Sequence, residues 1–307
     1  MDMKKKLLLS MILLALCLIQ ASADTYYFKI KLSDEKGNPV GNWSPYIKVE
    51  ANLISEVNGV KKYEYPNGLR TLLDKGTVTD EENGKYTLPT TDGKVDLDRI
   101  YGIVFANGKG RNISQADVKI MEGGEFAAWE KIRTHIKYLE LREYELATYT
   151  GEVYFMDMHK VEKLELPQKG MTVGNGVNRM YFANADNLKK ITIWNGSSSV
   201  DITDYADPVL QNSVGEYMFA NCFNLSTKYI NRLIRDVTEI KANAFYADGG
   251  NRGNFPEETD NTIIDIPSSV TKIGNQAFYN RVKVTGLNIQ GNDGGLEIGS
   301  EAFRGCE

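Results

Sequence analysis

Only a handful of residues in this 307-residue chain combine a reactive type with a spacing that chemistry uses. There are two histidines, His135 and His159. Neither has a partner at metal-ligand spacing, and the H-E-x-x-H pattern of a zinc helix is absent. Ser197 follows Gly196 in "NGSSSV", but the strained elbow that exposes a nucleophilic serine needs G-x-S-x-G. No G-x-x-x-x-G-K-[ST] loop is present to cradle phosphates, and the glycines of "GNGVNR" (174–179) fall in a repeat turn. "DGKVDLD" groups Asp92, Asp96 and Asp98 without the ligand spacing of a calcium loop; two strands meeting at an Asp-Gly turn account for it. Carboxylates are plentiful, and the pairing that glycoside hydrolysis needs is a matter of distance rather than sequence. No catalytic, cofactor-binding or metal-binding residue is assigned, and the expectation is a binding protein rather than an enzyme.

The ends and the charge narrow the class. Lys4, Lys5 and Lys6 precede an apolar run from Leu7 to Ile19, and Ala21-Ser22-Ala23 follows. That order is the signature of a secretory signal peptide, 1–23, with cleavage expected after Ala23. A lipoprotein reading through Cys17 is the weaker alternative, because Leu16 stands where such a signal needs a small residue. Removing the three lysines and Asp2 takes the formal charge from −5 to −7. An acidic chain lacks the basic footprint that nucleic acid demands. No later run is long enough to span a membrane, which takes about 20 apolar residues. Two cysteines remain, Cys222 and Cys306, too few for a disulfide framework.

From residue 24 to 115 the chain alternates short β-rich runs with turn residues. "TYYFKIKL", "YIKVEANLI", "KKYEY", "GKYTLPT", "GKVDL" and "YGIVFA" are separated by Asn-Gly and Asp-Gly pairs. Strands at that spacing predict an all-β sandwich. The frame "LSDEKGNPVGN…YIKVEA…NGKYTLPTTDGKVDL" resembles the transthyretin-like, immunoglobulin-like modules of exported bacterial proteins. That resemblance implies a spacer or adhesive platform.

Residues 116–307 repeat a sentence. "YTGEVYFMDM", "SVGEYMFANC", "EIKANAFYAD", "KIGNQAFYN" and "EIGSEAFRGC" share one frame, and "TVGNGVNRMYFANA" fits with an insertion. The anchors are Phe155, Phe182, Phe219, Phe245, Phe278 and Phe303, at intervals of 27, 37, 26, 33 and 25 residues. An apolar–polar–apolar triplet accompanies the frame at 139–141, 164–166, 191–193, 264–266 and 287–289. Triplets so short must stack on their neighbours as a parallel sheet, and a period of 20–50 residues is the mark of a solenoid. The third copy departs, because "STKYINRLIRDV" after Leu225 predicts a helix with Ser226 at its N-cap. "GEFAAWEKIRTHI" (124–136), with Phe126, Ala127, Trp129 and Ile132 at helical spacing, predicts an N-terminal cap helix. Cys222 and Cys306 occupy the same slot three coils apart, so they are expected to be free, buried thiols. The chain stops at Glu307 before a last triplet, which raises the expectation that the natural protein continues.

These units resemble the BspA-type leucine-rich repeats of bacterial surface proteins, which read like I-G-x-x-A-F-x-x-C-x-x-L-x-x-I-x-I-P. The fold class expected is therefore β-rich multidomain α+β: an N-terminal sandwich, then a leucine-rich-repeat solenoid with a parallel sheet on one face. The resemblance implies a secreted or cell-surface, adhesin-like protein that binds a host or bacterial surface or matrix protein; glycan capture is the alternative. The variable strand positions would form the binding face: Lys163 and Glu165, then Lys190, Thr192 and Trp194, then Asp265, Asn288 and Gln290. Trp194 stands where two other copies carry Pro167 and Pro267. It reads equally as an exposed anchor or as cover for the insertion "NGSSSVDITDYADP".

Overall fold

Each anchor phenylalanine rests on the next. The computed structural model describes residues 25–306 apart from 51, 59, 67, 81–83, 107–123, 144–154, 168–169, 173–180, 249–262, 282–283 and 292–293. Ring centroids are 6.4 Å apart for Phe155–Phe182, 5.5 Å for Phe182–Phe219, 5.8 Å for Phe219–Phe245, 5.3 Å for Phe245–Phe278 and 5.1 Å for Phe278–Phe303. The last three pairs lie within 11° of parallel. This file runs on past the repeats: Trp129 of the cap helix (Gly124–Arg133) packs edge-on against Phe155 at 6.0 Å and against Phe105 at 5.1 Å. Phe105, Trp129 and the anchors Phe155, Phe182, Phe219, Phe245 and Phe278 are fully buried, and Phe303 is partly covered. The segment read as a signal peptide, with Cys17, the "GNGVNR" glycines and nearly all of the polar loop 248–261 lie outside the described residues.

Backbone hydrogen bonds tie the same turns together. Phe182 N donates to Met218 O, Phe219 N to Ala244 O, Phe245 N to Ala277 O and Phe278 N to Ala302 O, each at 2.8–2.9 Å. Ala244, Ala277 and Ala302 are buried, and the same slot in two earlier coils holds Tyr181 and Met218, buried as well. The frame glycines are constrained: a Cβ on Gly274 would stand 2.4 Å from Ala242 N, and one on Gly299 2.5 Å from Asn275 N.

Strands form on either side of this spine. The first segment holds β1 (Thr25–Ser33), β2 (Pro39–Val40) and β3 (Ile47–Glu50), the hairpins β4–β5 (Asn52–Val57, Val60–Glu64), β6–β7 (Thr77–Asp80, Gly84–Thr87) and β8–β9 (Thr90–Thr91, Lys94–Val95), and β10 (Ile100–Ala106). The Asp92-Gly93 turn joins β8 to β9, with Asp92 at φ 53°. A short helix, Leu69–Lys75, stopped by Gly76 at φ 67°, adds to the all-β expectation.

The repeats then give β11 (Tyr138–Glu143), β12 (Lys163–Leu166), β13 (Met171–Thr172), β14 (Lys190–Trp194), β15 (Ser199–Asp201), β16 (Leu210–Val214), β17 (Val237–Ile240), β18 (Ile263–Ile266), β19 (Lys272–Ile273), β20 (Gly286–Ile289) and β21 (Glu297–Ile298). All five triplets are strands. They form two parallel pieces, β10-β11-β12-β14 and β18-β20, because the predicted helix (Thr227–Ile234) takes the third copy's place. Its Tyr229, Ile230, Leu233 and Ile234 are buried on one side. Ser226 is its N-cap residue in extended conformation, although its hydroxyl makes no capping bond. A second parallel ladder, β13-β16-β17-β19-β21, is built from the residues just before the frame glycines.

One sheet crosses the boundary expected at residue 115. β10 pairs antiparallel with β1 and parallel with β11, in the register Ile103↔Leu139 and Val104↔Glu140. The first segment thus covers the open end of the solenoid, together with the cap helix.

Cys222 is buried, Cys306 half-buried, and both are free. Cys222 Sγ faces Phe182 O at 3.2 Å, and burial pushes its thiol up to about 12.

Phe219→Ala removes one ring from the middle of the file and leaves a cavity between Phe182 and Phe245. It is expected to cost about 3–5 kcal/mol of unfolding free energy, read as a lowered urea midpoint.

Candidate functional site

Strand register decides which candidate residues meet. Lys163 pairs with Lys190 and Glu165 with Thr192 across β12 and β14. Tyr138 and Glu140 of β11 lie opposite Lys163 and Glu165. Alternation sends Leu139, Leu164 and Ile191 into the core and this polar set to the outer face. The sequence implied that face would be open. Here it is not: Glu140 is 6% exposed, Glu165 0% and Thr192 2%.

Two things cover it. Trp43, from the segment after β2, packs on Tyr138 with ring centroids 5.8 Å apart. Gly102 lies beneath, where a Cβ would come within 2.8 Å of Tyr138 O and 3.4 Å of the Trp43 ring. On the other side the chain turns at Gly196, φ 99°, and β15 returns antiparallel to β14. Asn195 Oδ1 accepts from Ser197 N and Ser198 N and locks that turn. Ser199 then reaches Glu165.

Glu165 is a structural acceptor. Its Oε2 lies 3.1 Å from Tyr138 Oη and 3.4 Å from Thr192 Oγ1, and it accepts from Ser199 Oγ. Tyr138 Oη is also 3.0 Å from Glu140 Oε2; with one hydrogen, the phenol donates to one carboxylate at a time. The Lys163 ammonium sits 4.6 Å from the centroid of the Tyr138 ring. Burial, then the two carboxylates, drive the Tyr138 phenol far above its ordinary value. The arrangement fastens β11, β12, β14 and β15 together. Neither histidine takes part, since His135 Nδ1 meets Lys131 O at 2.8 Å and His159 Nδ1 meets Asp186 Oδ2 at 2.9 Å. No group of three or more metal-ligating side chains occurs among the described residues.

What stays outward from this set is a strip of mixed charge. Lys163 is half-exposed, the Lys190 side chain is 52% exposed, and Trp194 stands half-buried at the hairpin. Lys190 Nζ is 3.7 Å from Asp201 Oδ2, which also accepts from Tyr229 Oη at 2.8 Å. Asp265, Asn288 and Gln290 lie apart, on β18 and β20 and just after, beyond the inserted helix. Asp265 accepts from Asn288 Nδ2 at 2.9 Å and from Asn231 Nδ2 of that helix at 3.2 Å; Gln290 is exposed.

Sequence reasoning missed two features. Asp157, Asn184 and Asn221, two residues after their anchors, take left-handed φ of 56–61° and form a hydrogen-bond file: Asn184 Nδ2 donates to Asp157 Oδ1 at 2.7 Å, and Asn221 Nδ2 to Asn184 Oδ1 at 2.9 Å. The recurring Asn or Asp was the available signal. The second is a shallow groove of about 460 Å³ along the second ladder, lined by Glu216, Glu239, Lys241, Lys272, Asn275 and Glu297 among others.

The family model of the BspA type leucine rich repeat region matches residues 134–257 and 251–307, in six copies. The chain belongs to this family. Neither a curated protein nor a solved structure matches it. No helix among the described residues of this BspA-type chain is long and apolar enough to cross a membrane.

The buried phenols set an alkaline limit. Burial also raises Tyr86, to about 12, and raises Tyr181. A phenol whose folded pKa is raised contributes stability in full below its unfolded value near 10 and loses it as pH climbs toward the folded value. Stability is therefore expected to fall above pH about 10. In a phenolate absorbance titration, the exposed tyrosines should ionise first, and the last fraction should appear only with alkaline unfolding. Complete ionisation of the native fold near pH 10 would contradict the buried placement.

Proposed function

We propose that this chain is an exported, surface-displayed binding protein that presents its solenoid to a protein ligand, adhesin-like and without catalysis of its own. Membership of a repeat family built for binding surfaces supports the coarse reading. The first segment, transthyretin-like in its motifs, is the natural platform, since its sheet continues into the repeats.

The observation that favours a protein over a glycan is how the aromatic faces are used. Sugar stacking needs an open ring plane. Tyr246 and Tyr279, both half-exposed, stack on each other at 5.3 Å, with Arg304 5.9 Å from the Tyr279 centroid. Trp43 is packed on Tyr138. On β12 and β14 the outward side chains are instead Lys163, half-exposed, and Lys190, exposed, one strand apart, with Asp201 beside Lys190. Such a strip suits charge pairing with a folded partner, which sets register and on-rate. Glycan capture is the second reading, and Trp194, half-exposed at the hairpin, is its anchor.

A binding panel separates the two, using the chain from Asp24 against matrix proteins, mucin and purified polysaccharides. On the proposed reading, a protein ligand binds in a salt-dependent manner, and Lys190→Glu weakens it by about tenfold, or 1.4 kcal/mol. Polysaccharide binding abolished by Trp194→Ala and indifferent to Lys190→Glu would replace that reading with glycan capture.

A further inference from the structure

The second ladder carries a row of charge with the pitch of the repeat itself. Ser213, Glu239, Lys272 and Glu297 are aligned across β16, β17, β19 and β21. They come one per coil, hence about 4.8 Å apart. Ser213 is buried and Glu239 half-buried, while the Lys272 and Glu297 side chains are 47% and 69% exposed. Lys272 Nζ and Glu297 Oε1 are 3.7 Å apart. An exposed pair of that kind contributes little to stability, so Lys272 can change partners at little cost.

Sign alternation at this pitch restricts what can match it. Side chains on one face of an extended strand recur every 6.6 Å or so. Successive turns of an α-helix come about 5.4 Å apart, and those of a polyproline II helix about 9.3 Å. Another parallel ladder repeats at the same 4.8 Å or so and can meet the row charge for charge.

This chain offers such a ladder. When a second copy is turned end for end about an axis between Glu239 and Lys272, each Glu239 faces the other copy's Lys272, and each Glu297 faces the neutral Ser213. The row is self-complementary under a two-fold axis, as an isologous contact must be. We propose that this face is where two copies of the chain associate, antiparallel, through reciprocal Glu239–Lys272 pairs. A row of four coils spans only about 14 Å, which puts the association in the weak, transient class. The proposal stands apart from the choice between protein and glycan ligand.

Sedimentation velocity over a concentration series tests it, on the chain from Asp24, which keeps every described residue. The wild-type chain should show a monomer–dimer equilibrium at low ionic strength. That equilibrium should be lost between about 0.01 M and 1 M salt, where the screening length falls from about 30 Å to about 3 Å. Glu239→Lys and Lys272→Glu each set like charges opposite one another, and each alone should weaken self-association by at least about tenfold. An equal mixture of the two variants should associate again as a 1:1 heterodimer, because each then supplies the charge the other needs. Recovery in the mixture also shows that neither variant is misfolded. The proposal is overturned if the wild-type chain stays monomeric at low salt, or if it dimerises and the mixture of variants does not.

Discussion

Aromatic stacking along the solenoid axis is the constraint on which the other features depend. A single ring contact contributes about 0.5–1.5 kcal/mol beyond its buried area, but here each ring is also the floor of the next coil. Burying the rings fixes the coil pitch. The pitch lets the turn amides bond from one coil to the next, and it forces the close approaches that leave no room for a Cβ at Gly274 and Gly299. Because Trp129 and Phe105 extend the file, the same constraint reaches into the first segment, where β10 joins the repeat sheet. A solenoid needs a cap at its first coil, and here the cap is a helix together with a whole β-rich segment.

Repetition made most of this legible in the sequence. Six phenylalanines in phase, with an apolar–polar–apolar triplet in five coils, specify strands that must stack. Ser226 and the segment "STKYINRLIRDV" marked the coil that becomes helical. The second ladder was less visible, because its strands are two to five residues long and alternation has no room to show. The helix Leu69–Lys75 hid for a similar reason: seven residues with no side-chain cap, readable only through Gly76 as its stop.

The binding face was the least legible part, and Glu165 shows why. Alternation correctly sent Glu165 and Thr192 to the outer face of the ladder. It carries no information on what lies over that face, which here is Trp43, far away in sequence, and a hairpin built by an insertion. Lys163 and Lys190, two residues earlier on each strand and so on the same face, escape that cover and stay outward. The inserted helix then separates Asp265, Asn288 and Gln290 from them, so eight residues that the repeat placed in one line stand as two groups.

Hydrogen exchange on Trp129→Ala against the wild-type chain tests most directly whether the aromatic file makes the first segment and the solenoid one unit. Trp129 touches a ring from each side, Phe105 and Phe155. Its truncation is expected to cost about 3–5 kcal/mol, with protection falling together in β10, β11 and β12. Protection lost in the cap helix alone, with β10 and β12 as slow as in the wild-type chain, would contradict the account.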